Sequence, residues 1–365
     1  MRTGKCGVQR LKSHSDPDGG HFLLFTMLPY APGPINVDDV FGVNETGENK
    51  YVGKRPLLKP LGGVRGAYGG NIAGQALLVA MKSCPPEMTP HSFHLYFVKA
   101  VLEDSPMNWE VTHVSDGRNF NNRLVKGFQD GKLKYVAIIS LTKRNSFARE
   151  QGKYDKWAEE RRKAGKPVAV SIEDDDIDDM PLKPFLLQTP FRPKWVNSPK
   201  EVEINTDGRE YLTYHKFPKQ LYDLSLTKEE EKLDPTDRKL SWYQQFGCDE
   251  DGVNQPIVGM NKQYQHVGLA VISDLWLMAL LARTLRLDVG EGLIYSCVTL
   301  DHVIYFHDDD FDVTKWMGFS QRTLRYANSR LLCEAEVYND KGVHVATLVQ
   351  EALVDIRNVI RDHKL

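Results

Sequence analysis

The chain contains the same unit twice, and this internal repeat limits the folds open to it. The segment HSFHLYF at 91–97 is matched later by TLDHVIYF at 299–306. A helix candidate precedes each copy, at 70–83 and at 267–285. The match continues downstream, where Trp109 corresponds to Trp316, the turn 129–132 to 339–342, and 135–138 to 344–347. One supersecondary unit used twice predicts two similar halves, and the positions where the halves differ are the places to look for a site.

Length and charge agree with this organisation. With 365 residues, of which 41% are hydrophobic and 26% charged, the chain is long enough for a large core and about two units of 100–150 residues. The 47 basic residues balance the 49 acidic ones, which argues mildly against a nucleic-acid partner. The five cysteines are an odd number without a CxxC pair, which favours free thiols in a reducing compartment over a disulfide framework or a metal site.

Each unit shows the same order of signals, with a buried helix followed by several strands. In the first unit, small and apolar residues recur at helical spacing over 72–81. Strands are predicted at 93–98, 109–115, 120–129 and 134–142, and in the second unit near 294–306, 316–327, 330–339 and 343–356. Asp116-Gly117 and Asp130-Gly131 are placed as hairpin turns. The pattern predicts an α+β protein in which an antiparallel sheet wraps a central helix, twice.

The segment between the two units differs in composition. It is rich in Lys and Arg over 143–166, and six of the seven residues at 173–179 are acidic. Neither stretch can bury itself, so a solvated linker or flexible loop is favoured; pairing of the two runs with each other, or a docking site, is the alternative. Four prolines at 180–195 favour an extended connector.

The ends of the chain and its longest apolar run bear on location. The run 267–282 is interrupted by Ser273 and Asp274 and is shorter than the roughly 20 residues of a membrane span, so it predicts a core helix and no membrane span. The first fifteen residues are basic without an acid, which fits a disordered tail better than a transit peptide. The last residues, His363-Lys364-Leu365, resemble a peroxisomal address that an import receptor reads, and they predict a peroxisomal protein, with the cytoplasm as the alternative.

One position distinguishes the two predicted helices. Aligning them places Gln75 of the first opposite Asp274 of the second, so a carboxylate replaces a neutral amide. Burying a carboxylate in such an apolar run costs several kcal/mol without partners, or raises its pKa. Two interpretations remain open: Asp274 accepts hydrogen bonds from a helix end or a turn, or it is a catalytic acid or base.

Two further polar residues fall on the predicted strands of the second unit. Gln350 shares the apolar face of 343–356 with Ala346, Leu348 and Ala352, so its side chain is expected to point at the helix. It is either a buried amide satisfied by the backbone or part of a site. Thr299 is predicted to share a face of mixed character with Cys297 and Asp301. Because β-branched Thr is also common in strands, the pattern leaves its role undecided.

Five ordered motifs resemble those of the type II acyl-CoA thioesterases. They are YGGNIAGQAL at 68–77, HSFHLYF at 91–97, SDL at 273–275, TLDH at 299–302 and VQE at 349–351, within a match that spans about 36–357. The resemblance implies a double hotdog fold, in which each sheet wraps a long central helix and the two sheets join side by side. It implies hydrolysis of fatty acyl-CoA to free fatty acid and CoA, with no cofactor and no metal. Self-association into a homo-oligomer is also expected, because hotdog sheets have edges and faces to cover.

The resemblance also places a catalytic set of Asp, Thr and Gln on Asp274, Thr299 and Gln350. Asp274 is expected to deprotonate or orient a water molecule, Thr299 to relay a hydrogen bond, and Gln350 to hold the water. Gln75 and His91, at the corresponding places of the first repeat, are expected to form a degenerate site that shapes the pocket. Backbone N–H groups near a helix start are the expected donors to the oxygen that becomes negative.

The expected domain boundaries follow from these motifs. They are an N-terminal extension at 1–35, a first hotdog repeat at 36–145, a charged and Pro-rich linker at 146–200, a second repeat with the catalytic residues at 201–357, and a tail at 358–365 that ends in the targeting-like tripeptide. The long linker, the N-terminal extension and the terminal histidine of that tripeptide, where a small residue is usual, depart from the family pattern.

Other activities are less well supported by the residues. The sequence contains no Gly-x-Ser-x-Gly elbow, which counts against a serine hydrolase. His91 and His94 are three apart on a strand and are expected to face opposite ways, which argues against a shared metal. Enoyl-CoA hydratases of the hotdog type carry a histidine five residues after the helix aspartate, where this chain has Ala279. A non-catalytic acyl-CoA binding or scaffold protein is the remaining alternative.

Overall fold

The structure is a computed structural model of the chain. It describes residues 9–10, 14–15, 21–22, 34–58, 66–168, 180–181, 183–191, 204–208, 212–217, 230–247, 257–274, 277–285 and 294–357. The acidic run 173–179 and the C-terminal His363-Lys364-Leu365 lie outside these residues.

The described residues form eighteen strands and five α-helices. The helices are α1 (Val37–Phe41), α2 (Gly69–Lys82), α3 (Phe147–Lys163), α4 (Lys262–Ile272) and α5 (Leu277–Thr284). The strands are β1 (Gln9–Arg10), β2 (His14–Ser15), β3 (His21–Phe22), β4 (Ile35–Asn36), β5 (Val43–Gly47), β6 (Lys50–Gly53), β7 (Thr89–Phe97), β8 (Asn108–Asp116), β9 (Phe120–Gln129), β10 (Lys132–Thr142), β11 (Ile204–Gly208), β12 (Thr213–Phe217), β13 (Leu240–Phe246), β14 (Ile257–Val258), β15 (Ile294–Phe306), β16 (Met317–Ala327), β17 (Arg330–Tyr338) and β18 (His344–Arg357).

Fourteen of the described strands belong to one antiparallel sheet. Its order is β11-β12-β13-β16-β17-β18-β15-β7-β10-β9-β8-β6-β5, with β1 paired to β15. The strands of the second unit therefore occupy one half of the sheet and those of the first unit the other. The halves meet where β15 pairs with β7, from Asp301 opposite Tyr96 to Tyr305 opposite Ser92. The predicted α+β double hotdog is confirmed, with the two sheets joined side by side.

The two central helices, α2 and α4, pack against each other with their chains running in opposite directions. A Cβ atom on Gly70 would lie 2.3 Å from the carbonyl oxygen of Val271, and one on Gly74 would lie 3.1 Å from the Val267 side chain. Glycine at these positions lets the helices approach backbone to backbone. The first turn of α2 is thereby brought to the last turn of α4.

The second central helix differs from the prediction, which made it continuous over 267–285. Helix α4 begins earlier, at Lys262, and ends at Ile272; Asp274 follows the helix as a bend, and α5 begins at Leu277. The residue predicted to be buried in the middle of a helix therefore lies where the helix is interrupted, and it is only partly buried. The interruption frees the Asp274 side chain from the helix surface.

The basic stretch 143–166 is also more regular than predicted. Helix α3 occupies most of it, with Ser146 as its N-cap accepting a hydrogen bond from the Arg149 N–H and with ion pairs such as Lys163–Glu159 along its surface. Only Ala158 and Arg161 of the helix are buried. This part of the segment is a solvated helix; residues 180–181 and 183–191 contain neither helix nor strand, as the prolines predicted.

Each half of the sheet contains a β-bulge at a corresponding place. In β15, Thr299 pairs with Ala352 and Asp301 with Glu351, so Leu300 is the extra residue. In β7, Pro90 and Ser92 pair with neighbouring residues of β10, so His91 is the extra residue. A bulge reverses the inward and outward alternation of the residues beyond it.

None of the described helices combines the length and the apolar character that crossing a bilayer requires.

Candidate active site

Asp274 is held at the end of α4 by contacts that fix the interruption of the helix. The Ser273 hydroxyl donates to the Ala270 carbonyl over 2.8 Å and lies 2.9 Å from Nε2 of His302. From the other half of the molecule, the Tyr68 hydroxyl lies 2.8 Å from the Val271 carbonyl oxygen and 2.7 Å from that of Asp274. The last carbonyls of a helix have no partner within it, so Tyr68 satisfies groups that would otherwise be unpaired.

The three residues of the predicted catalytic set meet at one point. The Thr299 hydroxyl donates to Oδ1 of Asp274 over 3.4 Å, and Nε2 of Gln350 donates to the same oxygen. Nε2 of Gln350 also lies 3.0 Å from Oγ1 of Thr299. Gln350 is buried, whereas Asp274 and Thr299 are partly exposed. A carboxylate, a hydroxyl and a carboxamide are thus in mutual hydrogen-bond contact, and the first two are partly exposed.

The bulge in β15 is what turns Thr299 toward Asp274. On one side of the bulge, His302 and Ile304 face the core. Regular alternation would give Leu300 that orientation and turn Thr299 outward. With Leu300 as the extra residue, the alternation changes, and Thr299 points inward on a strand where Asp301 does not. The prediction that Thr299 and Asp301 share a face was therefore wrong. The bulge at Leu300 explains why the residues of that predicted face were of mixed character.

The start of α2 forms the opposite wall of the site. A Cβ atom on Gly69 would lie 2.2 Å from Oδ2 of Asp274, and the backbone N–H of Gly70 hydrogen-bonds to the carboxylate. The N-terminus of a 14-residue helix carries a partial positive charge, which favours an anion there. The first repeat therefore contributes backbone, through the motif Tyr68-Gly69-Gly70, to a site whose side chains come from the second. The sequence showed this motif, but no local pattern shows that it crosses to the other repeat.

The carboxyl group of Asp274 has an unusual affinity for a proton. Burial raises its pKa from 3.8 to about 7, although the hydrogen bonds from Gln350, Thr299 and the Gly70 N–H lower it. The charged form loses its hydration in the protein, and three donors recover only part of that loss. A carboxylate with a pKa near neutrality can take a proton from water and return it at physiological pH.

Neighbouring groups do not supply a nucleophile. Burial, with the charge of Asp274, raises the pKa of the Cys297 thiol to about 12, so it stays protonated. Burial lowers the pKa of His302 to about 4, so this imidazole is neutral at physiological pH. His302 supports the site through Ser273 rather than by attacking a substrate.

Gln75 occupies a different environment from that of Asp274. It lies inside the unbroken helix α2 and is fully buried. Its Nε2 donates to the Phe41 carbonyl over 3.1 Å, and its Oε1 accepts from Nε1 of Trp109 over 2.9 Å. Its amide is thus occupied by the protein itself, and its predicted role in shaping the pocket stays a prediction.

His91 is also displaced from its predicted place. The bulges make His91 the counterpart of Leu300, which leaves Pro90 as the counterpart of Thr299. His91 lies beside Ser140 and the exposed Phe120, on the outer face of the sheet where His94 also lies. The expectation that the two histidines face opposite ways was wrong, because the bulge cancels one step of alternation. In the part of the chain that the structure describes, no three His, Cys, Asp or Glu residues group as a metal site.

Comparison with known proteins identifies the family. Residues 59–142 match the sequence model of the acyl-CoA thioesterase N-terminal domain, and residues 257–354 match that of the C-terminal domain. The chain belongs to the type II acyl-CoA thioesterase family, as the five motifs predicted.

Individual relatives cover most of the chain. This chain is 22% identical over 302 residues to human acyl-coenzyme A thioesterase 8, and the match covers 82% of this chain and 83% of the relative. It is 23% identical over 342 residues to the peroxisomal acyl-coenzyme A thioester hydrolase 1 of Saccharomyces cerevisiae, covering 87% and 94%. The solved structure of the tesB protein from Mycobacterium avium subs paratuberculosis shares 18% identity at a TM-score of 0.59, covering 87% of this chain and 98% of that one. The structural likeness shows the fold.

Proposed function

We propose that the protein hydrolyses fatty acyl-CoA to a free fatty acid and CoA by direct attack of water, with Asp274 as the general base. The observation that carries the proposal is the convergence of Thr299 and Gln350 on one oxygen of a carboxylate whose pKa burial raises to about 7. Membership of the acyl-CoA thioesterase family supports the substrate class.

The chemistry requires no covalent intermediate. The water oxygen forms a bond to the carbonyl carbon while Asp274 takes one of its protons, and the carbonyl oxygen becomes negative. When the carbonyl re-forms, the bond between carbon and sulfur breaks and the electron pair leaves on the sulfur of CoA. Protonated Asp274 returns its proton to that sulfur, so base and acid are the same group.

Thr299 and Gln350 are assigned the positioning of Asp274. Both donate to Oδ1, so Oδ2 is the oxygen left to accept from water, on the side of Gly69. This differs from the predicted role of Gln350 as a direct holder of the water, because its Nε2 is already engaged by Asp274 and Thr299. The partial positive charge at the start of α2 keeps part of the carboxyl ionised despite its burial.

Thiol release from palmitoyl-CoA by the purified protein tests the activity, and Asp274→Asn tests the mechanism. An amide cannot act as the base, so turnover by the variant is expected to fall by about 10²- to 10⁴-fold while the fold is kept. Asp308→Asn is a matched control, because this carboxylate is also buried but hydrogen-bonds the N–H groups of Phe147 and Asp310 instead. Unchanged turnover by Asp274→Asn would remove Asp274 from the mechanism.

The same assay separates hydrolysis from binding alone. A non-catalytic acyl-CoA binding protein would retain palmitoyl-CoA in equilibrium dialysis and release no thiol. The remaining alternative is hydration of an enoyl-CoA, which an assay detects as a loss of the ultraviolet absorbance of that compound. We expect no such loss.

We infer a peroxisomal location, because the Saccharomyces cerevisiae relative is named a peroxisomal acyl-coenzyme A thioester hydrolase. The test is fluorescence microscopy of the tagged protein with and without residues 363–365, with loss of the punctate signal expected on their removal. The predicted import receptor and homo-oligomer stay predictions; sedimentation of the purified protein addresses the second.

A further inference from the structure

Tyr135 presents a polar group that the protein itself leaves without a partner. The side chain lies on β10 and is fully buried, yet its hydroxyl makes no hydrogen bond within the described part of the molecule. A buried hydroxyl without a partner destabilises the folded protein, because the hydrogen bonds it makes to water in the unfolded chain are not replaced. Phenylalanine would fill the same space without this cost, so the hydroxyl calls for an explanation.

Contacts through Phe97 and Gly69 connect the Tyr135 side chain to Asp274. Tyr135 pairs with Phe97 across β10 and β7, and their rings meet edge to face with centroids 5.6 Å apart. The tip of Phe97 would lie 2.9 Å from a Cβ atom on Gly69, which itself adjoins Oδ2 of Asp274. Burial raises the pKa of Tyr135 well above its usual range, and the charge of Asp274 adds to this rise. The Tyr135 ring is therefore linked to the start of α2 through Phe97.

Hydrolysis of a thioester needs a donor for the carbonyl oxygen that becomes negative, and three of the predicted backbone donors at the start of α2 are already engaged. The Gly70 N–H bonds the Asp274 carboxylate. The N–H groups of Asn71 and Ile72 both point to the Tyr68 carbonyl, over 3.1 and 3.3 Å. These three N–H groups of the first turn of α2 are thus occupied, whereas the Tyr135 hydroxyl has no partner among the described residues.

We propose that Tyr135 is a further catalytic residue, whose hydroxyl donates a hydrogen bond to the carbonyl oxygen of the bound thioester and to the oxyanion that forms from it. The inference rests on the proposed thioesterase function. Tyr135 keeps its proton throughout and takes part in no covalent step. Phe97 is half-buried and contacts both Tyr135 and the start of α2, so the proposal requires its side chain to move when the thioester enters.

Tyr135→Phe separates this role from a structural one, because the hydroxyl makes no bond to the described residues that the variant could lose. Loss of one donor to an oxyanion typically lowers kcat by about 10²-fold, and we expect a fall of that order, with a rise in KM of at most about tenfold from the bond lost to the carbonyl of the bound thioester. The melting temperature is expected to stay level or to rise, since a buried polar group without a partner is removed. An unchanged kcat overturns the proposal.

Tyr264→Phe is the matched control. Tyr264 is another buried tyrosine, but its hydroxyl donates to Oδ1 of Asp38 over 2.6 Å, away from Asp274. The control variant is expected to lose thermal stability and to keep its turnover, the reverse of the pattern for Tyr135→Phe. A fall in stability with no fall in kcat for Tyr135→Phe shows a structural role instead.

The pH profile distinguishes a donor to the substrate from a donor to Asp274. If the hydroxyl acts on the thioester oxygen, Tyr135→Phe lowers the whole profile of kcat/KM and leaves its midpoint in place. If the hydroxyl acts on the carboxylate, its loss moves the midpoint to higher pH, and that shift overturns the proposal.

Two non-hydrolysable ligands test the contact without turnover. An S-(2-oxoalkyl)-CoA carries a carbonyl close to the position of the thioester, whereas an S-alkyl-CoA of the same length lacks it. Tyr135→Phe is expected to weaken binding of the first by about tenfold and of the second hardly at all, as for one lost hydrogen bond. Equal effects on both ligands overturn the proposal. A wild-type protein that releases no thiol from acyl-CoA is a failure of the proposed function, and it is recognised separately from a failure at Tyr135.

Discussion

Gly69 and Asp274 are in direct contact across the two halves of the molecule. A Cβ atom on Gly69 would lie 2.2 Å from Oδ2 of Asp274, closer than any real carbon and oxygen atoms can be without a bond. The helix of the first repeat thus touches the carboxylate of the second with its bare backbone. This contact makes the candidate site a property of both repeats, although Asp274, Thr299 and Gln350 come from one.

Gly69→Ala is expected to abolish most activity and to keep the fold. The added methyl group meets the free end of the Asp274 side chain, which can rotate away, and in doing so it loses its hydrogen bonds from Thr299 and Gln350. We expect kcat to fall by at least about tenfold, since misplacement of a catalytic group by 1 Å can cost about 10²-fold. Thiol release and circular dichroism measure the two effects.

Two other glycines serve as references for this substitution. Gly152 of α3 has nothing within 4 Å of its Cβ position, so Gly152→Ala should be neutral or slightly stabilising. Gly70→Ala would place its Cβ 2.3 Å from a backbone oxygen, that of Val271, and should destabilise the packing of α2 on α4. A Gly69→Ala variant as active as Gly152→Ala would show that the carboxylate does not need its present position.

The pH dependence of the rate follows from the state of Asp274. The base must be ionised, so kcat/KM is expected to rise with pH through a midpoint at the pKa of Asp274, about 7. The Thr299 hydroxyl lowers this pKa, so Thr299→Val should move the midpoint to higher pH as well as lower the plateau. Thr112→Val, at an exposed position of β8, is the control and should change neither. A rate that is flat between pH 5 and 9 contradicts the assignment of Asp274.

The main features of the fold could be predicted from the repeat and the alternation alone. The predicted strands 120–129 and 294–306 agree with β9 and β15 at both ends. Gln350 lies inward with Ala346, Leu348 and Ala352, as its period-two pattern required. Asp274 stood out because a carboxylate in an apolar run has to be compensated, and the structure shows the donors that do so.

The orientation of Thr299 could not be predicted in this way. A bulge inserts one extra residue into a strand, and the composition of the strand does not indicate the position of the bulge. Leu300 could therefore not be recognised as the extra residue. The same limit misplaced His91 by one residue. The interruption of the helix after Ile272 was missed because the apolar residues continue beyond Asp274, and the break depends on contacts from Tyr68 and His302, which are distant in sequence.

Gln75 and Gln350 are expected to respond differently to the same substitution. Gln75→Leu leaves the Phe41 carbonyl and Nε1 of Trp109 buried without partners, at a cost of about 1–3 kcal/mol for each group. We expect a lower melting temperature, with kcat per folded molecule near that of the wild type. Gln350→Leu removes a donor to Asp274, so it should lower kcat and move the pH midpoint upward. If Gln75→Leu lowers kcat as much as Gln350→Leu does, Gln75 takes part in the chemistry after all.

Asp274 is expected to lower the stability of the protein in return for its reactivity. Its pKa is near 4 in the unfolded chain and about 7 in the folded protein, so between these values the folded state binds more protons than the unfolded state. Stability contributed by this group therefore falls as pH rises through that window, and the penalty is complete above about pH 7. Allowing for the partial exposure of Asp274, the penalty at pH 8 is about 2–4 kcal/mol.

Asp274→Asn should therefore melt at a higher temperature than the wild type at pH 8, with an advantage that shrinks toward pH 5. Asp38→Asn is the control of opposite sign, because hydrogen bonds from Lys54 and Tyr264 lower the pKa of Asp38. Asp38 stabilises the fold above its unfolded pKa and loses that contribution as pH falls through its folded pKa, so its replacement should lower the melting temperature at pH 8. Thermal unfolding of the wild type and both variants at pH 5 and pH 8 measures the difference in melting temperature between each variant and the wild type at each pH. An Asp274→Asn variant that is less stable than the wild type at pH 8 would mean that the hydrogen bonds to the carboxylate outweigh the cost of its burial. The pKa of about 7 for Asp274 would then be wrong, and so would the predicted midpoint of the rate profile near neutral pH.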